Sequence, residues 1–182
     1  VGFQTPIYHR RAAVSFIVSA SFFALLSPSL AFSASTVDWQ VLSGEEADKV
    51  LHQCSRGSPE GITGFWEINE KDINQMERVF SPCVPAEKLK TLADFQRQYI
   101  GFTRGTERYI YINAMKKPAA TSANNDLSIG QVFCDGGSMF FGTEYKVSGP
   151  AFEKFAFNEG FDHQGAPEDF ICVQSPEPSP QP

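Results

Sequence analysis

The chain has 182 residues, with 21 acidic side chains against 15 basic ones and a formal net charge of −6. Its longest basic runs are the pairs Arg10-Arg11 and Lys116-Lys117, so it lacks the concentrated basic face that a nucleic-acid partner requires. The acidity implies solubility and a preference for cationic partners.

Residues 1–35 read as an export signal. His9, Arg10 and Arg11 give a basic start, residues 12–26 form the apolar run AAVSFIVSASFFALL, and Pro28 and small residues follow. The run falls short of the about 20 apolar residues that span a bilayer, so no stable membrane anchor is expected. Small-x-small cleavage tripeptides lie at 29–31, 31–33 and 33–35, and the first cysteine, Cys54, is too distant from them for a lipid anchor. The expected location is therefore the periplasm or the exterior, reached through a cleaved signal peptide. Residues 36–173 are read as one domain, large enough to hold its own core.

Ser43-Gly44-Glu45-Glu46 fits a capping box. Ala47, Val50, Leu51 and Cys54 then recur at helical spacing, which predicts a helix over 44–54 with Cys54 on its buried stripe. The Gly/Pro content of SRGSPEGIT, residues 55–63, predicts a loop. After Phe65-Trp66, Asn69 can cap a second helix with Ile73, Met76, Val79 and Phe80 inward, stopped by Pro82 and Pro85. A third short helix is predicted over 86–95.

The period then changes. RQYIGFT and RYIYINA flank RGTE, and Ile110, Ile112 and Ala114 alternate with Tyr109, Tyr111 and Asn113. Residues 115–128 have no periodicity and predict a mobile surface loop. Further strands are predicted over 129–134, 139–147 and 151–157, the first two joined by a turn at Asp135, Gly136 and Gly137, where glycine supplies positive φ without steric cost. Residues 161–173 are expected to return as a clip, and the Pro-rich tail 174–182 to be disordered. The expected fold is α+β: N-terminal helices packed on a C-terminal antiparallel meander of about five strands, with two disulfides.

Four cysteines in an exported chain imply two disulfides, in any of three connectivities. A nucleophilic Cys134 would need His52 or His163 as a base; a disulfide with a glycine turn beside it accounts for the same residues. Asp162-His163 and Glu168-Asp169 offer metal-ligand types without a recognisable ligand spacing, so neither metal nor cofactor is expected. Glycosidase chemistry needs two carboxylates facing one cleft, for which Glu144 and Glu153 are the neighbouring candidates.

VFCDGGSMFFGTEYKV, together with Cys54-Ser55-Arg56, Arg97-Gln98-Tyr99 and the Ile-Tyr-x-Asn strand at 110–113, resembles an uncharacterised family of small exported proteins of Gram-negative bacteria over about residues 45–160. The resemblance brings no activity, cofactor or partner. It does imply a pairing of Cys54 with Cys134 and of Cys83 with Cys172, because only Cys54 and Cys134 fall within the shared pattern.

Trp66, Tyr99, Tyr109, Tyr111, Phe141 and Tyr145 are the candidate binding residues. Tyrosine suits a surface where one end of a side chain is apolar and the other wet, and an exposed aromatic sheet face would suit an unknown protein or glycan of the cell envelope. The functional expectation is a binding module of inhibitor, immunity or envelope-accessory type. The alternative is a small envelope hydrolase using Glu144 or His163.

Overall fold

Two ten-residue strands joined through Gly105 form the centre of the fold: β3 (Phe95–Arg104) and β4 (Glu107–Lys116) in a computed structural model that describes residues 38–117, 126–158 and 167–173. Gly105 has φ +61°, a conformation open to glycine without strain. Around this hairpin the other elements run β1 (Trp39–Val41), α1 (Gly44–Leu51), β2 (Gly64–Phe65), α2 (Glu70–Cys83), a 3₁₀ turn (Leu92–Asp94), β5 (Gly137–Lys146), β6 (Ala151–Asn158) and β7 (Glu168–Ile171). The predicted export segment 1–35, residues 118–125, His163 and the predicted tail 174–182 lie outside the described residues.

The molecule is an α+β fold with one sheet in the order β1-β3-β4-β5-β6-β7, in which β2 also pairs with β3. Every pairing is antiparallel except that of β1 with β3. Four of the five expected meander strands form, as β3 to β6, and short strands extend the sheet at both edges. The predicted strand 129–134 is not one. Asp135-Gly136-Gly137 consequently does not close a hairpin: it leads into β5, with φ of +121° at Gly136 and +53° at Gly137.

The helices cover opposite faces of the sheet. The buried stripe of α2, Ile73, Met76, Phe80 and Cys83, packs with Tyr99, Ile110, Ile112, Phe141 and Tyr145. Ala47, Val50 and Leu51 of α1 pack with Ile100, Phe102, Tyr109 and Tyr111. Alternation along β4 sends its isoleucines to α2 and its tyrosines to α1. Each large side chain so enclosed contributes about 1.5–3 kcal/mol through burial.

Local chemistry explains where the helices depart from expectation. Asn69 and Asp72 form a complete capping box on α2, but Ser43 makes no side-chain cap bond to α1. Glu46, its expected partner, instead accepts from the Gly130 amide at 2.5 Å and from Lys49 at 2.7 Å. Helix α1 ends at Leu51, so Cys54 lies beyond it and is exposed rather than buried on its stripe. Pro82 sits inside the last turn of α2 instead of stopping it, and the Val84 amide closes the helix on Phe80 O at 2.8 Å. The third helix is reduced to the 3₁₀ turn, because β3 already begins at Phe95 and Arg97 Nη1 donates to Leu92 O and Phe95 O at 2.5 and 2.6 Å.

Disulfides join Cys54 to Cys134 and Cys83 to Cys172, across 80 and 89 positions of sequence. The first ties the end of α1 to the segment before β5; the second ties α2 to the strand at the sheet edge. Each stabilises by about 2–4 kcal/mol, in the chain-entropy view by restricting the unfolded chain.

Gly101 on β3 offers a test of this packing. A Cβ there would lie 2.3 Å from the Trp66 carbonyl oxygen and 2.8 Å from Ile68, whereas one at Gly149 would meet nothing within 4 Å. Gly101→Ala is expected to cost about 1–3 kcal/mol by overpacking and Gly149→Ala less than about 0.5 kcal/mol, as read from urea denaturation midpoints.

Candidate functional site

Five of the six candidate aromatic residues are core residues. Tyr99, Tyr109, Tyr111, Phe141 and Tyr145 are all buried, and only Trp66 is partly exposed. Among the described residues these side chains form no open aromatic face, since α1 covers the sheet face that carries Tyr109 and Tyr111 while α2 covers the other. The hydroxyls of Tyr99 and Tyr111 are used inside. Tyr99 donates to Glu77 at 2.7 Å and accepts from Arg97 Nε at 2.9 Å, and Tyr111 accepts from Arg56 Nε at 3.2 Å. Tyr109 stacks on Phe102 with Arg104 above its ring, and Phe141 meets Phe95 and Phe155 edge-on and stacked. The Tyr145 hydroxyl has no partner among the described residues.

Beneath α1 lies a buried polar cluster. Arg56 is 8% exposed, and its guanidinium donates to Tyr111, Asn113 and Asn158. All three acceptors are neutral, and no carboxylate pairs with it among the described residues. Asn113 and Asn158 pass the linkage on: Asn113 Nδ2 donates to Gln98 Oε1 and Gln131 O, and Asn158 Nδ2 to Phe133 O. Gln98 Nε2 holds Leu127 O and Ile129 O at 2.9 and 2.7 Å, and Ser55 Oγ donates to Phe133 O at 3.2 Å. This is why residues 129–134 form no strand: side chains of the sheet take carbonyls that a neighbouring strand would have used. Gly142 completes the site, because a Cβ there would lie 2.4 Å from Arg56 Nε.

The cluster unites Cys54-Ser55-Arg56, Ile-Tyr-x-Asn and Gly142, which are far apart in sequence. Its groups are a guanidinium, amides and a phenol, which suit charge solvation rather than nucleophilic attack. Sequence reading placed Arg56, Gln98 and Asn113 in the shared pattern without giving them a role and passed over Asn158; the available signal was a polar Asn113 on the same alternating face as Tyr109 and Tyr111.

Glu144 is 1% exposed. One carboxylate oxygen accepts from Arg104 Nη2 at 2.7 Å and the other lies 3.5 Å from Lys154 Nζ. Glu153 sits opposite it in the strand register, and Arg104 also reaches Glu153 at 3.9 Å. The two carboxylates are therefore neighbours, joined through a shared arginine rather than across a cleft. His52 lies exposed beside Asp48, and Asp135 is also exposed. Among the described residues no group of three metal-ligating side chains converges.

An apolar cleft of about 190 Å³ lies between α1 and β2. Leu42, Ala47, Phe65, Trp66 and Ile100 line it, with Ser43 and Asp48 as its polar side chains. Phe65 is 63% exposed, an unusual position for a phenylalanine. Trp66 is held still: its Nε1 donates to Phe102 O and Tyr109 O at 3.1 and 3.0 Å, and the Arg108 guanidinium lies 4.7 Å from its ring centre.

Two measurements probe the interior. A lysine at 56 presents its donors from one nitrogen and cannot reach three separated oxygens, so Arg56→Lys should cost about 2–3 kcal/mol in urea denaturation; a variant as stable as wild type would remove Arg56 from this role. Burial raises the Tyr99 phenol well above its ordinary value, with Arg97 opposing and Glu77 adding to the rise. The folded state therefore holds a proton that the unfolded state releases, and the contribution is complete below about pH 10 and lost as pH climbs towards the folded value. The melting temperature should fall above about pH 10, and less steeply in Tyr99→Phe.

Compared with family models, curated proteins and solved structures, the chain matches none.

Proposed function

We propose that the protein is a binding module of the cell envelope, periplasmic or secreted, that recognises a partner protein by taking one of its apolar side chains into the cleft between α1 and β2. The observation that carries this reading is Phe65, largely exposed on the wall of an apolar cleft whose other aromatic wall, Trp66, is fixed by two hydrogen bonds. At about 190 Å³ the cleft suits a single large side chain, below the roughly 300–1,000 Å³ typical of small-molecule sites. Ser43 and Asp48 are too few polar groups for the array of hydrogen bonds that a glycan's hydroxyls demand. Asp48 and the acidity of the chain favour an apolar residue flanked by Lys or Arg. Two disulfides agree with an oxidising compartment, and the N-terminal basic and apolar pattern supports export.

The hydrolase alternative has weaker support. Glu144 is covered by Arg104 and Lys154 instead of facing an open cleft, and His163 lies outside the described residues.

Affinity capture from periplasmic extract, with the disulfides intact, tests the reading through three forms of the protein. A partner should be retained by wild type and by Met139→Asp, a change at an exposed apolar position away from the cleft, and lost in Phe65→Asp with the melting temperature unchanged. Binding of that partner should weaken about tenfold or more in Phe65→Ala, the loss of a central anchor. A partner held equally by wild type and Phe65→Asp, or none held at all, would reject the cleft as the recognition site.

A further inference from the structure

We propose that Cys54–Cys134 is a thiol–disulfide exchange site, open to a dithiol reductant, whose redox state governs how firmly α1 is seated; its bearing on recognition rests on the cleft reading above. The two disulfides differ in access. Cys54 and Cys134 are both exposed, whereas Cys83 is buried in the α2 core and Cys172 is partly buried. Exchange requires a thiolate to approach one sulfur of the bond, so access selects between two otherwise similar bonds. The rate is set by access and by the reductant.

The chemistry closes without another reactant. One thiolate of the dithiol attacks a sulfur of the pair, forming a mixed disulfide, and the other cysteine departs as a thiolate and takes up a proton. The reductant's second thiol, as its thiolate, then displaces the remaining cysteine, leaving Cys54 and Cys134 as thiols and the reductant as its own disulfide.

The consequence follows from where the bond lies. Helix α1 has eight residues, too few to hold its own conformation in water. Ala47, Val50 and Leu51 seat it on the sheet, and Cys54, three positions beyond its end, clamps it to the 127–134 segment. Once the clamp opens, the direct hydrogen bonds that remain between residues 44–56 and 127–134 among the described residues are Glu46 with Gly130, Ser55 with Phe133 and Gln53 with Gln131 at 3.4 Å. Because Ala47 and Asp48 of α1 line the cleft, its width responds to the same event.

The test is a time course of native, fully oxidised protein in dithiothreitol, quenched with iodoacetamide and mapped by peptide mass, with amide hydrogen exchange on the partly reduced form. Cys54 and Cys134 should be alkylated at least about tenfold faster than Cys83 and Cys172, with the difference abolished in denaturant, and exchange should rise over 44–51 and 127–134. Simultaneous opening, or earlier opening of Cys83–Cys172, overturns the exchange site. Selective opening with unchanged exchange in α1 overturns the coupling. If the order of opening holds while Phe65→Asp leaves capture intact, the exchange site stands and the cleft reading falls; the reverse pair of results spares the cleft and removes the exchange site.

Discussion

Arg56 holds a full charge where water hardly reaches, and the surrounding chain is arranged around keeping it there. A guanidinium removed from water costs several kcal/mol unless its donors are met, and here three neutral oxygens from β4 and β6 meet them. Those acceptors are fixed in turn by bonds to the 127–134 backbone and to Gln98 of β3. The loop after α1, three strands and the segment before β5 thus share one polar centre. Moving one strand by a residue would turn its buried side chains to the opposite face, and in this linked set of directional bonds it would also strand a charge.

Coverage of both sheet faces has a second effect. With α2 on the isoleucine face and α1 on the tyrosine face, the aromatic residues that suggested an interface serve as interior packing. The proposed recognition site therefore lies at the rim, where β2 is only two residues long and leaves Phe65 uncovered. Just beyond β2, the Trp66 indole is fixed to carbonyls of β3 and β4 and the Trp66 backbone lies against Gly101, so the rim is firmly supported though short.

Some of this was legible in the sequence. The capping residue and apolar spacing of α2, and the alternation of β3 and β4 about Gly105, reported local physics that the fold keeps. The failures came where distant groups overrode local preference. Ser43 and Glu46 have the spacing of a capping box, but Gly130, 84 residues away, claims the glutamate. Residues 129–134 have the composition of a strand, yet Gln98, Asn113 and Asn158 occupy the backbone groups a strand would need. Alternation along β4 divided its tyrosines from its isoleucines correctly, but it cannot say whether a face is covered. Strands of three and two residues, β1 and β2, are too short to show a period. Within the candidate cleft only Trp66 was singled out, for being aromatic; Phe65 looked like any other core residue.

The order of the cysteines along the chain carries a final consequence. The bonds 54–134 and 83–172 interleave, so neither loop is complete before residues from the far half of the sequence are present. A chain oxidised as it emerges N-terminus first would bring Cys54 and Cys83 together while both native partners were still missing. Maturation under such conditions depends on reshuffling that early crosslink, and an isomerase would then set the yield of folded protein.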